Sequence, residues 1–284
     1  VRASVKEAIV EDIKTDLIKF SKSNVISRKD RHSLVGKLGR AGLLITMRPF
    51  LQPLWAALYS DNHAASPHNT VWTKQIAATL KWFSAFFGGT VGGVERLFRL
   101  DAYLRQGPTV EIGTDASPWG MGGWLAHNGQ ITHYFACPIS PEDQLVFSVA
   151  AGIPEGQQLW ECLAVLIGID IWSSTWKHER VCLKVRGDNV GALTLLIKMR
   201  PSSPALAIVA RELALRLVEL SFPPDAVHTP GVSHVIADKL SRVFAPGGCG
   251  NVGPHLHPSL QSAVLTHVPA RDRRWYRALS PEPA

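Results

Sequence analysis

The sequence predicts an α/β protein: a mixed sheet of three antiparallel strands followed by parallel ones, flanked by helices and preceded by a small helical segment. Three observations predict it. The apolar period is helical up to about Pro108 and then turns to alternation. From there, strand and helix signatures follow one another as β-β-β-α-β-α-α-loop-α. Two of those strands, separated by the long helix, carry matching patterns, as a parallel pair joined by a helical crossover requires.

The elements follow in order. Ile9, Ile13, Leu17 and Phe20 recur at helical spacing over residues 5–20, with charged residues between them. Ser27 followed by Asp30 resembles a capping box opening a second helix through Leu38. Gly36, Gly39 and Gly42 lie on or near its end, and glycines there imply close backbone approach to another element. Pro49 opens a third helix reaching Tyr59, residues 60–70 read as a polar loop, and 71–87 as a further helix ended by Gly88–Gly89. After Pro108, Val110, Ile112 and Thr114 alternate with Glu111, Gly113 and Asp115 in a first strand. Strands at 121–126 and 130–136 are joined by a turn at His127-Asn128-Gly129. Residues 137–156 read as irregular. A long helix spans 157–177, a strand holds Val181, Leu183 and Val185, and helices follow near 189–199, 204–221 and 235–244. The chain beyond Ala245 is Gly/Pro-rich and weakly patterned until 258–266. It ends in a basic cluster of Arg271, Arg273, Arg274 and Arg277 with Trp275 and Tyr276. The expected organisation is a helical segment over 1–107, an α/β domain over 108–244 and a tail over 245–284.

Composition bounds the function. Hydrophobic residues are 46% and charged residues 19% of 284, a globular balance. Thirty basic against 23 acidic residues give +7, a mild bias toward a polyanionic partner. No stretch approaches the roughly 20 apolar residues that cross a bilayer, so no membrane partner is expected. The chain opens at Val1 in helical pattern with no signal-peptide layout, and reads as a piece of a longer polypeptide. Cys137, Cys162, Cys182 and Cys249 form no C-x-x-C pair, and Cys162 and Cys182 lie in apolar runs, as small core residues of a reducing compartment do. Zinc sets drawn from His127, His133 and Cys137, or from Cys249, His255 and His257, are the minor metal alternative.

The chemistry lies in the acids. Asp115 and Asp188 each stand three residues after an apolar strand position (Ile112, Val185) and five after another (Val110, Leu183). Paired in parallel, the two strands would bring both carboxylates to one sheet edge. Glu161, in the first turns of the intervening helix, sits among Trp160, Leu163, Ala164 and Val165, an acid where neighbours pack inward. Like charges so gathered repel unless a cation compensates, and oxygen ligands without His or Cys are those of Mg²⁺. Two such ions, with open positions for water and phosphate, are the two-metal arrangement of phosphoryl hydrolysis.

Four strings then carry a resemblance. They are Thr114-Asp115-Ala116-Ser117 with Gly120, Gly122, Gly123 and Trp124; Trp160-Glu161-Cys162-Leu163-Ala164; Gly187-Asp188-Asn189; and His228-Thr229-Pro230-Gly231 followed by Val235-Ile236-Ala237-Asp238-Lys239-Leu240-Ser241-Arg242. In this order they resemble the ribonuclease H domain of retroelement reverse transcriptases. Leu34-Val35-Gly36-Lys37-Leu38 and Arg48-Pro49-Phe50-Leu51 look like the thumb and connection segment that precedes it. The likeness is nearest to gypsy-like and DIRS-like elements and covers most of residues 25–244. The polymerase palm with its paired aspartates is absent.

The resemblance implies a ribonuclease H-type endonuclease that hydrolyses the RNA strand of RNA–DNA hybrids with two Mg²⁺ ions, Mn²⁺ able to substitute. Asp115, Glu161 and Asp188 would be core ligands, Asp238 a fourth, and His228 a loop histidine that helps protons or product leave. The family often has Asn where this chain has His234, which sets His234 against His228 for that role. Ser117 and Asn189, with Trp119, would meet the hybrid. Implied partners are the hybrid and the palm and fingers of the same polyprotein, in an intracellular setting. Lys22, Arg28, Lys29, Arg31, Lys37 and Arg40 would add phosphate contacts. A domesticated, non-catalytic subunit of a larger protein or ribonucleoprotein assembly is the alternative. A DNA-cutting transposase on the same fold fits the terminal block poorly.

Overall fold

A computed structural model describes residues 1–44, 47–59, 67–91, 95–98, 100, 104–176, 181–217 and 224–281. The chain divides into two compact units, Val1–Phe98 with Arg277–Ala284, and Arg99–Tyr276.

In the first unit, β1 (Arg2–Ser4) pairs antiparallel with β4 (Glu95–Leu97), and β2 (Val25–Ser27) with β3 (Thr70–Trp72). Helices α1 (Glu7–Ser21), α2 (Arg28–Leu44), α3 (Arg48–Tyr59) and α4 (Ala77–Phe87) stand between them. The amphipathic pattern of α1 buries Val10, Ile13, Leu17 and Phe20, with Val10 in the place expected of Ile9. The Asp30 N–H donates to Ser27 Oγ at 3.0 Å, while the Asp30 carboxylate turns to Lys19 at 3.6 Å, so only half of the expected capping box forms.

Three expectations change here. The helix expected over 71–87 begins at Ala77, because Val71 and Trp72 pair with Ile26 and Val25 in β2–β3. Only Gly42 of the three helix glycines is approached closely, and by the Leu51 side chain, not by backbone. Two of the six basic residues are committed internally: Arg31 is buried, and Lys37 Nζ lies 2.7 Å from both Asp12 and Asp16. The core is aromatic, with Phe50 and Trp82 ring centroids 4.6 Å apart and Phe83 and Phe86 against them. Most of the polar loop expected at 60–70 lies outside the described residues.

The second unit is built on a six-stranded mixed sheet. Strands β5 (Thr109–Ala116), β6 (Gly120–His127) and β7 (Gln130–Pro138) are antiparallel. Then β8 (Cys182–Gly187) runs parallel to β5, and β9 (Asp225–His228) parallel to β8. A short strand β10 (Val264–Leu265) runs parallel to β7 on the far side, giving the order β10-β7-β6-β5-β8-β9. This is the mixed sheet the sequence predicts. The β6–β7 loop is Asn128–Gly129, with φ of 49° and 84°. Two successive positive φ values give a turn whose twist matches a hairpin, and Asn-Gly tolerates them.

Helices cover both faces. Crossover helix α6 (Gln157–Ile171) is buried from Leu159 through Ile169 and packs Gly168 onto Ile112 of β5. α7 (Val190–Lys198) and α8 (Pro204–Leu217) lie against α6. On the other face, α9 (Val235–Ser241) crosses β5 and β6, where a Cβ at Gly122 would overlap Leu240. That glycine lets helix backbone rest directly on strand backbone.

Three elements of this unit were not expected. α5 (Pro141–Phe147) occupies a stretch read as irregular, opened by a full capping box between Ser140 and Asp143. Strand β9 forms within the expected loop before α9. The third is β10, in a stretch of the tail read as weakly patterned. The segment from residue 245 to 276 is therefore folded onto the sheet: Leu260 packs with Leu240 and Tyr134, and Arg271 is buried against Asp143. The supposed basic cluster divides, since Arg271 and Tyr276 are core while Trp275 stacks on Arg216 at 4.8 Å.

Candidate metal centre at the sheet edge

The β5–β8 register sets the site. Val110 pairs with Leu183 and Ile112 with Val185, so the same offset carries Asp115 level with Asp188, just past the end of β8. Glu111, two residues before Gly113 on the same face, takes Arg186 of β8 at 2.7 Å and fixes that register. Glu161, on the first turns of α6, reaches the same edge. One carboxylate oxygen from each of Asp115, Glu161 and Asp188 lies within 4.8 Å of the others. Among the described residues no other group of three potential ligands gathers this way, and neither zinc set assembles.

Asp115 and Glu161 are each 5% exposed. Burial, aided by Asp188 and Asp238 and opposed by the Ser241 hydroxyl and His234, pushes Asp115 up to about 6. Burial, with Asp115 next to it, pushes Glu161 up to about 9. The donor set is all oxygen, crowded and short of positive charge. That fits a hard divalent cation, which would restore both carboxylates to the ionised form.

The other expected residues take distinct places. Asp238, in α9, stands outside the three-acid group with its side chain 42% exposed, and its Oδ1 accepts from Arg242 Nε at 2.6 Å. His228 ends β9 level with Gly187, and it is exposed. His234 is buried, with Nε2 donating to the Thr114 carbonyl at 2.8 Å, so it braces the strand that carries Asp115. Of the two histidines, His228 is the one solvent can reach. Ser117 is buried and its hydroxyl is spent within the protein, 2.8 Å from the Ser241 carbonyl. The contact with nucleic acid expected of Ser117 therefore has no exposed hydroxyl to make it. Asn189 caps α7, its Oδ1 accepting from the Ala192 N–H at 3.0 Å, and is half-buried. Trp119 is partly exposed in the turn after β5.

Sequence reading missed two supporting residues. Gln157 donates through Nε2 to Glu161 Oε1 at 2.9 Å and to the Ala116 carbonyl, tying the helix acid to the end of β5. Its place one turn before Glu161 was the available signal. Ser241 donates to Asp115 Oδ2 at 2.7 Å, and only its distance of three residues from Asp238 hinted at this.

No protein-family model and no curated protein matches the chain. Among solved structures, the chain is similar to RNase H1 from the halophilic archaeon Halobacterium salinarum NRC-1 at 13% identity and a TM-score of 0.35, over 48% of this chain and 96% of that one. It is similar to LC11-RNase H1, solved with an RNA/DNA hybrid, at 17% identity and a TM-score of 0.38, over 46% of this chain and 93% of that one. A foamy viral protease-reverse transcriptase, also with an RNA/DNA hybrid, gives 9% identity and a TM-score of 0.30 over 78% of this chain, which spans 27% of that one. These likenesses are low, and the case for a function rests on the carboxylate geometry.

Proposed function

We propose that this chain is a ribonuclease H-type endonuclease that hydrolyses the RNA strand of RNA–DNA hybrids, as part of a retroelement reverse transcriptase. The observation that carries the reading is the convergence of Asp115, Glu161 and Asp188 from two parallel strands and their crossover helix, within 4.8 Å. The four sequence strings that bring in Asp238 and His228 support it.

Asp115, Glu161 and Asp188 would hold the cations, Mg²⁺ or Mn²⁺, with Asp238 a fourth ligand once it leaves Arg242. When bound, the two ions supply an activated water and stabilise the leaving oxygen. The protein's own part is positional. Gln157 orients Glu161, His234 and Ser241 hold the end of β5, and α9 brings Asp238 alongside. Exposed His228 stands where a proton or the product can pass to solvent. Asn189 and Trp119 are proposed to border the hybrid, with the 2′-hydroxyls marking the RNA strand. Residues 1–107 are proposed to be the thumb and connection segment, 108–244 the nuclease domain and 245–284 a tail, although the chain's two compact units divide instead near Phe98 and Tyr276.

The test is cleavage by the whole chain of a labelled RNA–DNA hybrid, with double-stranded DNA as control. Cutting confined to the RNA strand, dependent on Mg²⁺ or Mn²⁺ and stopped by EDTA, is expected. Equal cutting in EDTA overturns the reading. A folded chain that binds hybrid in a stable complex without cutting it supports the non-catalytic subunit instead.

A further inference from the structure

Resting on the reading of the acidic cluster as a cation site, we infer that Ser241 is a positioning residue for Asp115, linking α9 to that metal ligand through a buried hydroxyl. Ser241 is fully buried in the last turn of α9. Its single hydroxyl proton has two acceptors in reach, Asp115 Oδ2 at 2.7 Å and the Asp238 carbonyl at 2.9 Å. A serine within a helix ordinarily donates back to a carbonyl of the preceding turn. Here the carboxylate oxygen is nearer, and when ionised it is the stronger acceptor.

The serine is itself held. Its carbonyl accepts from Ser117 Oγ at 2.8 Å, and Ser117 Oγ accepts in turn from the N–H groups of Trp119 at 3.2 Å and Gly120 at 3.1 Å. Ser117 follows Asp115 by two residues, so the turn after β5 and the end of α9 are fastened on both sides of the acid. Glycine makes this approach feasible: a Cβ at Gly120 would stand 3.0 Å from the Ser241 carbonyl oxygen. Among the described residues the Asp115 side chain has no other hydrogen bond. The link therefore holds the Asp115 carboxylate in one orientation relative to α9. It also sets α9, and with it Asp238 one turn earlier, at a fixed distance from the cluster.

The competing role is purely helical, the hydroxyl serving only the Asp238 carbonyl. Mn²⁺ titrations of the whole chain followed by electron paramagnetic resonance separate the two, on wild type, Ser241→Ala and the size-matched Ser241→Cys, with thermal melting in parallel. We expect both variants to fold and to lose about tenfold in Mn²⁺ affinity, the lower end of what removing a ligand's outer hydrogen bond costs. Wild-type affinity in a folded Ser241→Ala or Ser241→Cys overturns the inference, even if melting shifts, because a helical role moves stability alone. If wild type itself binds no Mn²⁺, the cation reading fails, and the link is then read separately from the ¹³C carboxylate resonance of Asp115. A resonance unchanged by Ser241→Ala overturns the link on its own.

Discussion

Asp115→Asn is expected to abolish hybrid cleavage, by at least about a thousandfold, while making the metal-free protein more stable at neutral pH. Asp115 would be one of the residues holding the cations. Without its charge their binding, and the polarisation of water and phosphate they would supply, would weaken; electrostatic losses of this kind reach several kcal/mol. The gain in stability follows from the same crowding. The folded-state pKa of Asp115 is raised to about 6 and that of Glu161 to about 9. A carboxylate with a raised pKa is at no disadvantage below its unfolded value and costs stability as pH climbs through the folded one. In EDTA, wild type should therefore lose stability from about pH 4 to pH 6 through Asp115, and on toward pH 9 through Glu161. The Asn variant escapes the first loss, for a gain on the order of 1–3 kcal/mol above pH 6, one pKa unit being about 1.4 kcal/mol. Below pH 4 the two should melt together. Mg²⁺ should raise the melting temperature of wild type and leave the variant little changed. Thermal melts across pH, with and without Mg²⁺, check this. A variant that melts below wild type at pH 8 in EDTA would contradict the account of the crowded acids.

Asp143→Ala is expected to cost the second unit about 3–5 kcal/mol, a fall of roughly 10 °C in melting temperature for a unit of this size. Asp143 is fully buried and accepts from Arg271 Nη2 at 2.7 Å, from Tyr276 Oη at 2.5 Å and from the Ser140 N–H at 2.9 Å. Without it, Arg271 is left as a buried, uncompensated cation and α5 loses its cap. The double variant Asp143→Ala with Arg271→Met should be less destabilised than the single, since neither charge is then orphaned. The effect also bears on function. The segment held by Arg271 brings Leu260 against Leu240 of α9, and α9 carries both Asp238 and Ser241. Thermal and urea denaturation measure the change, and a loss under about 1 kcal/mol would show that Arg271 finds other partners.

Much of this architecture is written in local pattern. The alternation over 109–116, the Asn-Gly turn and the inward-packed crossover helix each follow from short-range chemistry, and the structure has all three. The level placement of Asp115 and Asp188 was legible because equal spacing from apolar strand positions survives intact in a parallel register. Other features depend on contacts far apart in sequence. β3 reads as helix until Ile26 and Val25 pair with Val71 and Trp72. β9 and β10 span four and two residues, too short to show a period. α5 was the avoidable miss, since Ser140-Pro141 with Asp143 spells a helix start. In the site, chain pattern pointed to the acids but not to their supports. Ser241 meets Asp115 across 126 positions, and His234 meets Thr114 across 120, so no local spacing could announce either bond. Ser117, read as a hybrid contact, has its hydroxyl buried against the Ser241 carbonyl, a pairing across 124 positions that its string could not show.

The central claim is that Asp115, Glu161 and Asp188 form a divalent-cation site. Anomalous scattering from crystals of the chain soaked in Mn²⁺ tests it most directly. The account predicts two peaks at this sheet edge about 4 Å apart, each roughly 2 Å from carboxylate oxygens of these acids. Clear density for the three carboxylates at saturating Mn²⁺ with no peak between them would contradict it.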